Sequence, residues 1–375
     1  MVDAASEPNS APAPRAVERL RLTDFRSYAA AEVAPGPGLI AISGPNGAGK
    51  TNLLEAVSLL APGRGLRRAN LSDMVRIDGS GGFGIATRLG IGAGEPIEIG
   101  TGIEPGSARR TVRVNGAGAA ANSLSEWLSV LWLTPAMDRL FTGPAADRRR
   151  FLDRLTLALY PGHAQAATRY ENAMRERNRL LQDGRRDDHW LGAVEREMGR
   201  HGSLLSGART ATIEALTAAL ARQTGPFPRA EVRLQGMPPL SEEEMTAAIG
   251  ACRRDDFRAG RTLVGPHRDD LLVRHVEKAQ PADRASTGEQ KALLTGLVLA
   301  HSELVAAETG RLPILLLDEA LAHLDEGRRA ALFGLLQRLG GQVWMTGTDA
   351  ALFRAISGPA TYMEIKDGVP VVTSS

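Results

Sequence analysis

The spacing of apolar residues changes character along this chain, and the changes divide it. Residues 17–25 read as a strand, and Leu39-Ile40-Ala41-Ile42-Ser43 is a short apolar strand that runs straight into a glycine loop. Across residues 52–60 apolar positions recur on one helical face until Pro62-Gly63 stops them. Between Phe83 and Val114 the pattern becomes alternation, through Ile85, Leu89, Ile97, Ile99 and Val112 to Asn115-Gly116, which predicts antiparallel strands joined by glycine-rich turns. After Pro144 the spacing turns helical again. Tyr170, Ala173, Met174, Leu180 and Leu181, then Leu191, Val194, Met198 and Leu205, predict amphipathic helices in a hairpin or small bundle. Gly225-Pro226-Phe227-Pro228 interrupts that stretch and Pro238-Pro239 follows. From about Arg261 strands and helices alternate, with Ile314-Leu315-Leu316-Leu317 and Gln342-Val343-Trp344-Met345-Thr346 as buried parallel strands.

The expected fold is therefore α/β, with a mixed sheet and an inserted α-helical lobe. Residues 17–140 form the N-terminal part of the core with its antiparallel strands, 141–255 the helical lobe, and 256–375 the C-terminal part of the core. Residues 1–16, with Pro8, Pro12 and Pro14 among Ala and Ser, read as a disordered extension. A chain of 375 residues exceeds what one hydrophobic core usually organises, which fits two lobes. Its 45 basic and 43 acidic side chains leave a formal charge of +2, so clustering rather than total charge must decide whether nucleic acid is a partner. The single cysteine, Cys252, excludes an intramolecular disulfide and a multi-cysteine metal site, and fits a reducing cytoplasm. No apolar run approaches the roughly 20 residues that span a bilayer, and residues 1–16 lack a signal peptide's apolar centre, so no membrane partner is expected.

Residues 44–51, Gly44-Pro45-Asn46-Gly47-Ala48-Gly49-Lys50-Thr51, fit G-x-x-x-x-G-K-[ST] between a strand and a helix, the context a phosphate-binding loop requires. Glycines let consecutive N–H groups curl toward phosphate oxygens, and the helix start adds its positive dipole end. In that arrangement Lys50 reaches the β- and γ-phosphates of ATP and Thr51 ligates Mg²⁺. Asp318-Glu319 ends an apolar strand at the edge of the parallel sheet where ligands bind. Asp318 suits the magnesium side, and Glu319 is placed to polarise the attacking water as general base. Alone, such an acidic pair reads as a helix cap or solvated turn; a phosphate loop in the same chain reverses that.

Ser286-Thr287-Gly288-Glu289-Gln290-Lys291 precedes an apolar helix. By itself it is a helix cap, with Ser286 or Thr287 as cap and Glu289 or Gln290 reaching back. Upstream of the Asp-Glu strand, it resembles the signature motif of the ABC-type ATPase superfamily, and Leu324-Asp325 resembles that superfamily's D-loop. The resemblance implies a head-to-tail homodimer in which Ser286 and Gly288 of one protomer complete the ATP site of the other. Two departures stand beside it. The superfamily usually carries a histidine where this chain has Thr346-Gly347-Thr348-Asp349, either threonine of which could touch phosphate, and no glutamine stands near Leu133-Thr134-Pro135 to sense magnesium. Slow hydrolysis is the expectation.

Further segments resemble the RecF family of bacterial recombination-mediator ATPases, related to SMC-type proteins. They are Phe25-Arg26-Ser27-Tyr28, the loop with its trailing Asn52, Gly63-Arg64-Gly65-Leu66-Arg67-Arg68, Gly143-Pro144 with Arg148-Arg149-Arg150-Phe151-Leu152-Asp153, and Gly265-Pro266-His267-Arg268-Asp269-Asp270. At Pro135-Ala136-Met137-Asp138 the family usually has its acidic residue directly after the proline. The resemblance implies binding to DNA at gaps and stalled forks, slow DNA-dependent ATP hydrolysis, and help in loading RecA through RecO and RecR. Arg64, Arg67 and Arg68, and Arg148 to Arg150, stand evenly between DNA contact and structural pairing. Arg175, Arg177 and Arg179 read rather as a solvated face paired with Glu171, Glu176 and Asp183. His267 reads as structural, bonding Asp269 or Asp270. Few aromatics interleave with the arginines, which favours backbone contacts over base stacking. Two other classes compete: a transporter's nucleotide-binding subunit, and a nucleotide-sensing scaffold without useful hydrolysis.

Overall fold

The computed structural model describes residues 14–183, 187–321, 324–366 and 368–374. Most of the extension expected over 1–16 lies outside these residues, but its last two belong to a strand: β1 (Arg15–Phe25) begins where Arg15 pairs with Ile91. β2 (Tyr28–Val33), β4 (Phe83–Ile91), β5 (Ile97–Ile103), β6 (Thr111–Val114) and β7 (Ala117–Gly118) join β1 in an antiparallel sheet, ordered β2-β1-β4-β5-β6-β7. Alternation predicted β4, β5 and β6, whose side chains point in turn to a buried and a wetter face; β1 was also read as a strand, whereas β2 and β7 were not.

The second sheet carries the nucleotide motifs. β3 (Leu39–Ser43), β8 (Val130–Leu133), β12 (Ile314–Leu317), β13 (Val343–Gly347) and β14 (Ala360–Lys366) run parallel, and β15 (Val369–Ser374) closes one edge antiparallel to β14. Its order is β15-β14-β3-β13-β12-β8. Both faces are covered, and the period of two sorts the side chains. Ile40, Ile42, Ile314, Leu316 and Trp344 join one core with the antiparallel sheet and α1 (Lys50–Ser58). Leu39, Ala41, Leu315, Leu317, Val343 and Met345 join the other, with the long helices. Strands β3 and β12 therefore read as continuous apolar runs rather than alternating ones.

On that second face lie α2 (Ala145–Leu159), α4 (Asp188–Arg222), α7 (Thr287–Thr309) and α8 (Glu326–Leu339), while α3 (His163–Gln182) packs against α4 through a separate apolar cluster. Between α4 and α7 come β9 (Ala230–Gln235), α5 (Glu242–Ala251), α6 (Arg253–Ala259), β10 (Asp270–His275) and β11 (Gln280–Pro281). β9, β10 and β11 form a third, antiparallel sheet, so a strand lies within the stretch read as helical and α6 runs past residue 255. Among the described residues one helix, α7, is long and apolar enough to cross a membrane by length and composition, yet most of it is buried inside the protein.

Arg177, read from sequence as part of a solvated helix face, is fully buried. Its guanidinium donates to Glu195 Oε1 (3.1 Å), Asp256 Oδ2 (2.6 Å) and Thr262 Oγ1 (2.9 Å), tying α3 to α4, α6 and the loop beyond. Its partners lie far along the chain, which helical spacing cannot reveal. Arg175 and Arg179 are exposed, with Arg179 donating to Glu176 at 2.9 Å.

Candidate nucleotide site

The loop between β3 and α1 is held open by glycine. Gly44, Gly47 and Gly49 have φ of 152°, 82° and 110°, which side chains rarely adopt. A Cβ on Gly49 would also lie 2.7 Å from Tyr28 Oη, which donates a hydrogen bond to the Gly49 carbonyl (3.0 Å). Gly49 caps α1 without any side-chain acceptor, so the first N–H groups of the helix remain available to an anion. Lys50 is buried and its Nζ donates to the carbonyls of Gly44 (2.7 Å) and Pro45 (2.9 Å) across the loop. Burial pushes its pKa down, while Glu319 and Asp318 pull it back up.

The Phe-Arg-x-Tyr element braces this helix. Arg26 clamps Glu55 with two bonds of 2.8 Å, and Arg67 adds a third contact at 3.0 Å, so the fully buried Glu55 carries two guanidinium groups. Arg67 also donates to Asn52, which bonds Ser27. Of the first basic cluster Arg67 is thus a structural partner, whereas Arg64 touches only the Asn70 amide oxygen and Arg68 has no side-chain partner among the described residues.

Across from the loop, β12 delivers Asp318 and Glu319. Thr51 Oγ1 donates to Asp318 Oδ1 at 2.9 Å, joining motifs 267 residues apart. Thr346 Oγ1 donates to the same oxygen at 2.8 Å and accepts the Glu319 N–H at 2.9 Å. Of the two threonines read as possible phosphate contacts, the fully buried Thr346 instead holds the acidic pair from behind. Glu319 has φ +51°, a strained conformation for a residue with a Cβ, and the bond from its N–H to Thr346 supports it. The Thr51 hydroxyl and the Asp318 carboxylate thus meet, both hard oxygen donors, a pair that suits Mg²⁺ shared with phosphate. Among the described residues no group of three or more His, Cys, Asp or Glu could hold a metal on its own.

The start of α7 carries the second anion-binding candidate. Ser286 and Glu289 form a reciprocal capping box, with the Ser286 N–H donating to Glu289 at 2.9 Å, while Gln290 turns inward to the Ala285 carbonyl at 2.8 Å. Ser286 and Gly288 are exposed, and a Cβ on Gly288 would meet nothing within 4 Å. Neither residue lines the clefts that Thr51, Asp318 and Glu319 line. Lys291, one turn on, pairs with Asp138 at 2.8 Å. The acidic residue displaced from its usual place after the proline therefore ties the segment beyond β8 to the signature helix.

The Gly265-to-Asp270 segment works as a clamp. Arg148 grips Asp270 with two bonds of 2.7 Å, Arg149 donates to the Asp269 carbonyl (2.7 Å), and the buried Arg209 bridges Asp153 (2.8 Å) and Asp269 (2.8 Å). His267 bonds neither aspartate, contrary to the sequence reading. Its Nε2 lies 3.0 Å from the Thr262 carbonyl, which can only accept, so Nε2 carries the proton and Nδ1 accepts from Tyr170 Oη at 2.8 Å. Burial lowers its pKa, which favours the neutral ring that this hydrogen-bond pattern requires.

A mixed sheet with a glycine loop, an acidic strand end and a helical insertion defines an ABC-type ATPase head of the SMC kind. The family model for the RecF/RecN/SMC N-terminal domain matches residues 16–363. A DNA replication and repair protein RecF from Mesorhizobium japonicum is 54% identical over 371 residues, covering 95% of this chain and 98% of its own, and one from Brucella suis is 48% identical over 364 residues, covering 94% and 95%. The chain belongs to the RecF family. A solved recombination mediator protein RecF-ATPrS of the RecFOR pathway shares the fold with a TM-score of 0.84 at 21% identity, over 97% of this chain and 100% of its own. The Smc head domain from Pyrococcus furiosus, solved with the C-terminal domain of ScpA, follows at a TM-score of 0.55 and 17% identity, covering 96% of each.

Proposed function

We propose that this chain is an ATP-gated DNA clamp of recombinational repair and replication-fork maintenance, in which ATP closes a homodimer on gapped or junction DNA and slow hydrolysis releases it. The observation that carries the reading is the 2.9 Å bond from Thr51 to Asp318, which joins the phosphate loop to the acidic strand end in one pocket. Residues 44–51 cradle the triphosphate through their N–H groups, with Lys50 neutralising the β- and γ-phosphates. Thr51 and Asp318 are the magnesium ligands, and the ion would neutralise charge on the phosphate oxygens. Glu319 takes the proton of the attacking water as general base, held by Thr346.

Ser286 and Gly288 serve the neighbour's ATP. Their exposure, and their absence from the walls of their own chain's nucleotide clefts, support that role. The relatives named for DNA replication and repair, and the RecFOR pathway of the solved structure, support DNA, RecR and RecO as partners, RecA as the indirect beneficiary, and a cytoplasmic location. The test is DNA binding with and without ATP on duplex, single-strand and gapped substrates across salt. An ATP-dependent preference for duplex or gapped DNA is expected; equal binding with and without ATP would defeat the clamp. Sedimentation of the protein with membranes would favour the transporter reading instead.

A further inference from the structure

A cleft of about 1260 Å³ opens outward from Thr51, Asp318 and Glu319, and six guanidinium groups line it. Two are held by carboxylates: Arg67 by Glu55 at 3.0 Å, and Arg150 by Asp147. Among the described residues the other four have no carboxylate partner. Arg64 donates to the Asn70 amide oxygen at 2.6 Å, and Arg68 and Arg139 have no side-chain hydrogen bond or ion pair among the described residues. Arg154 donates to the Trp132 carbonyl (3.2 Å) and Met137 sulfur (3.5 Å), and lies 4.0 Å from the centre of the Trp132 ring. Its Nε has no partner, and burial pushes its pKa down to about 9.

The carboxylates of the same walls are already engaged. Asp147 holds Arg150, and Asp153 holds Arg209 and His163, each at 2.8 Å. Among the described residues of the lining only Asp318 and Glu319 remain without a cationic partner. In a chain whose formal charge is +2, four unpaired cations in one concavity are a concentrated field, supplied by two separate segments, 62–68 and 134–154. An anion that meets several of them at once must carry charges in series. A phosphodiester backbone does so, and guanidinium groups bind phosphate in two-pronged fashion. The ring of Trp132 is already faced by Arg154, so the cleft is built for backbone rather than for stacked bases.

We infer that this cleft receives the phosphate backbone of bound DNA through Arg64, Arg68, Arg139 and Arg154, and so brings the strand alongside the carboxylates Asp318 and Glu319. The inference rests on the DNA-clamp reading and adds where the strand lies and why its presence is felt at the ATP site. Contact is independent of base sequence and strongly dependent on salt.

The test uses the full chain with Mg-ATP and a fluorescent gapped duplex, measured from low to high salt. Arg68→Ala/Arg139→Ala removes two exposed cations that hold nothing else in place, and Arg175→Ala/Arg179→Ala removes the same charge from the exposed face of α3. For the cleft variant the slope of log affinity against log salt becomes shallower by about 2, since each lost phosphate contact contributes about 0.9. Affinity falls about tenfold or more at low salt, for duplexes of different sequence alike, and any stimulation of hydrolysis by DNA falls with it. The α3 variant keeps the parent slope, and both keep ATP hydrolysis measured without DNA. If the cleft variant binds DNA like the α3 variant, the inference is overturned while the clamp reading stands. If the parent protein binds no DNA at all, both fall.

Discussion

Thr346 stands in the segment where the superfamily usually carries a histidine, and its hydroxyl is committed to the acidic pair rather than to phosphate. Thr346→Val keeps the shape and removes both bonds. Hydrolysis should fall about 10–100-fold, the usual cost of losing a group that orients a metal ligand, while ATP binding measured by equilibrium titration is retained; unchanged turnover would show that Asp318 needs no such support. His301 belongs to this scale too. It is fully buried, its Nε2 bonds the Leu155 carbonyl at 3.0 Å, and burial pushes its pKa down to about 4. Since the unfolded imidazole titrates near 6.5, its contribution is complete above that pH and is lost as pH falls toward 4, up to about 3 kcal/mol. Denaturation curves at pH 7 and 4.5 should therefore show a loss that His301→Gln largely removes. That Lys50, Thr51, Asp318 and Glu319 would be brought together was legible because each belongs to a short motif. Thr346 and Glu55 were not, because their meaning lies in partners 28 and 29 residues away that only the fold brings together.

Among the elements, those with one dominant period were readable from sequence and those serving two masters were not. β3 and β12 announced themselves as apolar runs because both faces of their sheet are covered. β9 escaped because it lies between proline clusters inside a helical stretch, and its pairing with β10 is long-range. Arg177 escaped because helical spacing alone placed it on a wet face, whereas α4, α6 and the loop after α6 fold over it. The displaced acidic residue gained its meaning in the same way: Asp138 and Lys291 tie the segment after β8 to the signature helix. A half-buried pair still open to solvent adds about 1 kcal/mol or less to stability, so its consequence should be positional. Asp138→Lys and Lys291→Asp alone should each weaken ATP-dependent dimerisation without lowering the melting temperature much, and the double swap should restore it. Single variants that dimerise normally would reduce the pair to a surface contact.

For the whole molecule, the order of motifs exposed the α/β core with its helical insertion, because the phosphate loop and the acidic strand end flank the helical stretch. What sequence left open was the use of its arginines. The fold divides them physically: Arg26, Arg67, Arg148, Arg177 and Arg209 are locked onto carboxylates, while Arg64, Arg68 and Arg139 are left facing a cleft. That division separates side chains that hold the lobes together from those available to a partner. The central claim is that ATP joins two copies and Glu319 undoes the joining. It is tested most directly by sedimentation of the Glu319→Gln protein with Mg-ATP, Mg-ADP or no nucleotide. The account predicts a species of twice the monomer mass with Mg-ATP alone, persisting while the parent protein's dimer decays; a Glu319→Gln protein that stays monomeric in Mg-ATP would contradict it.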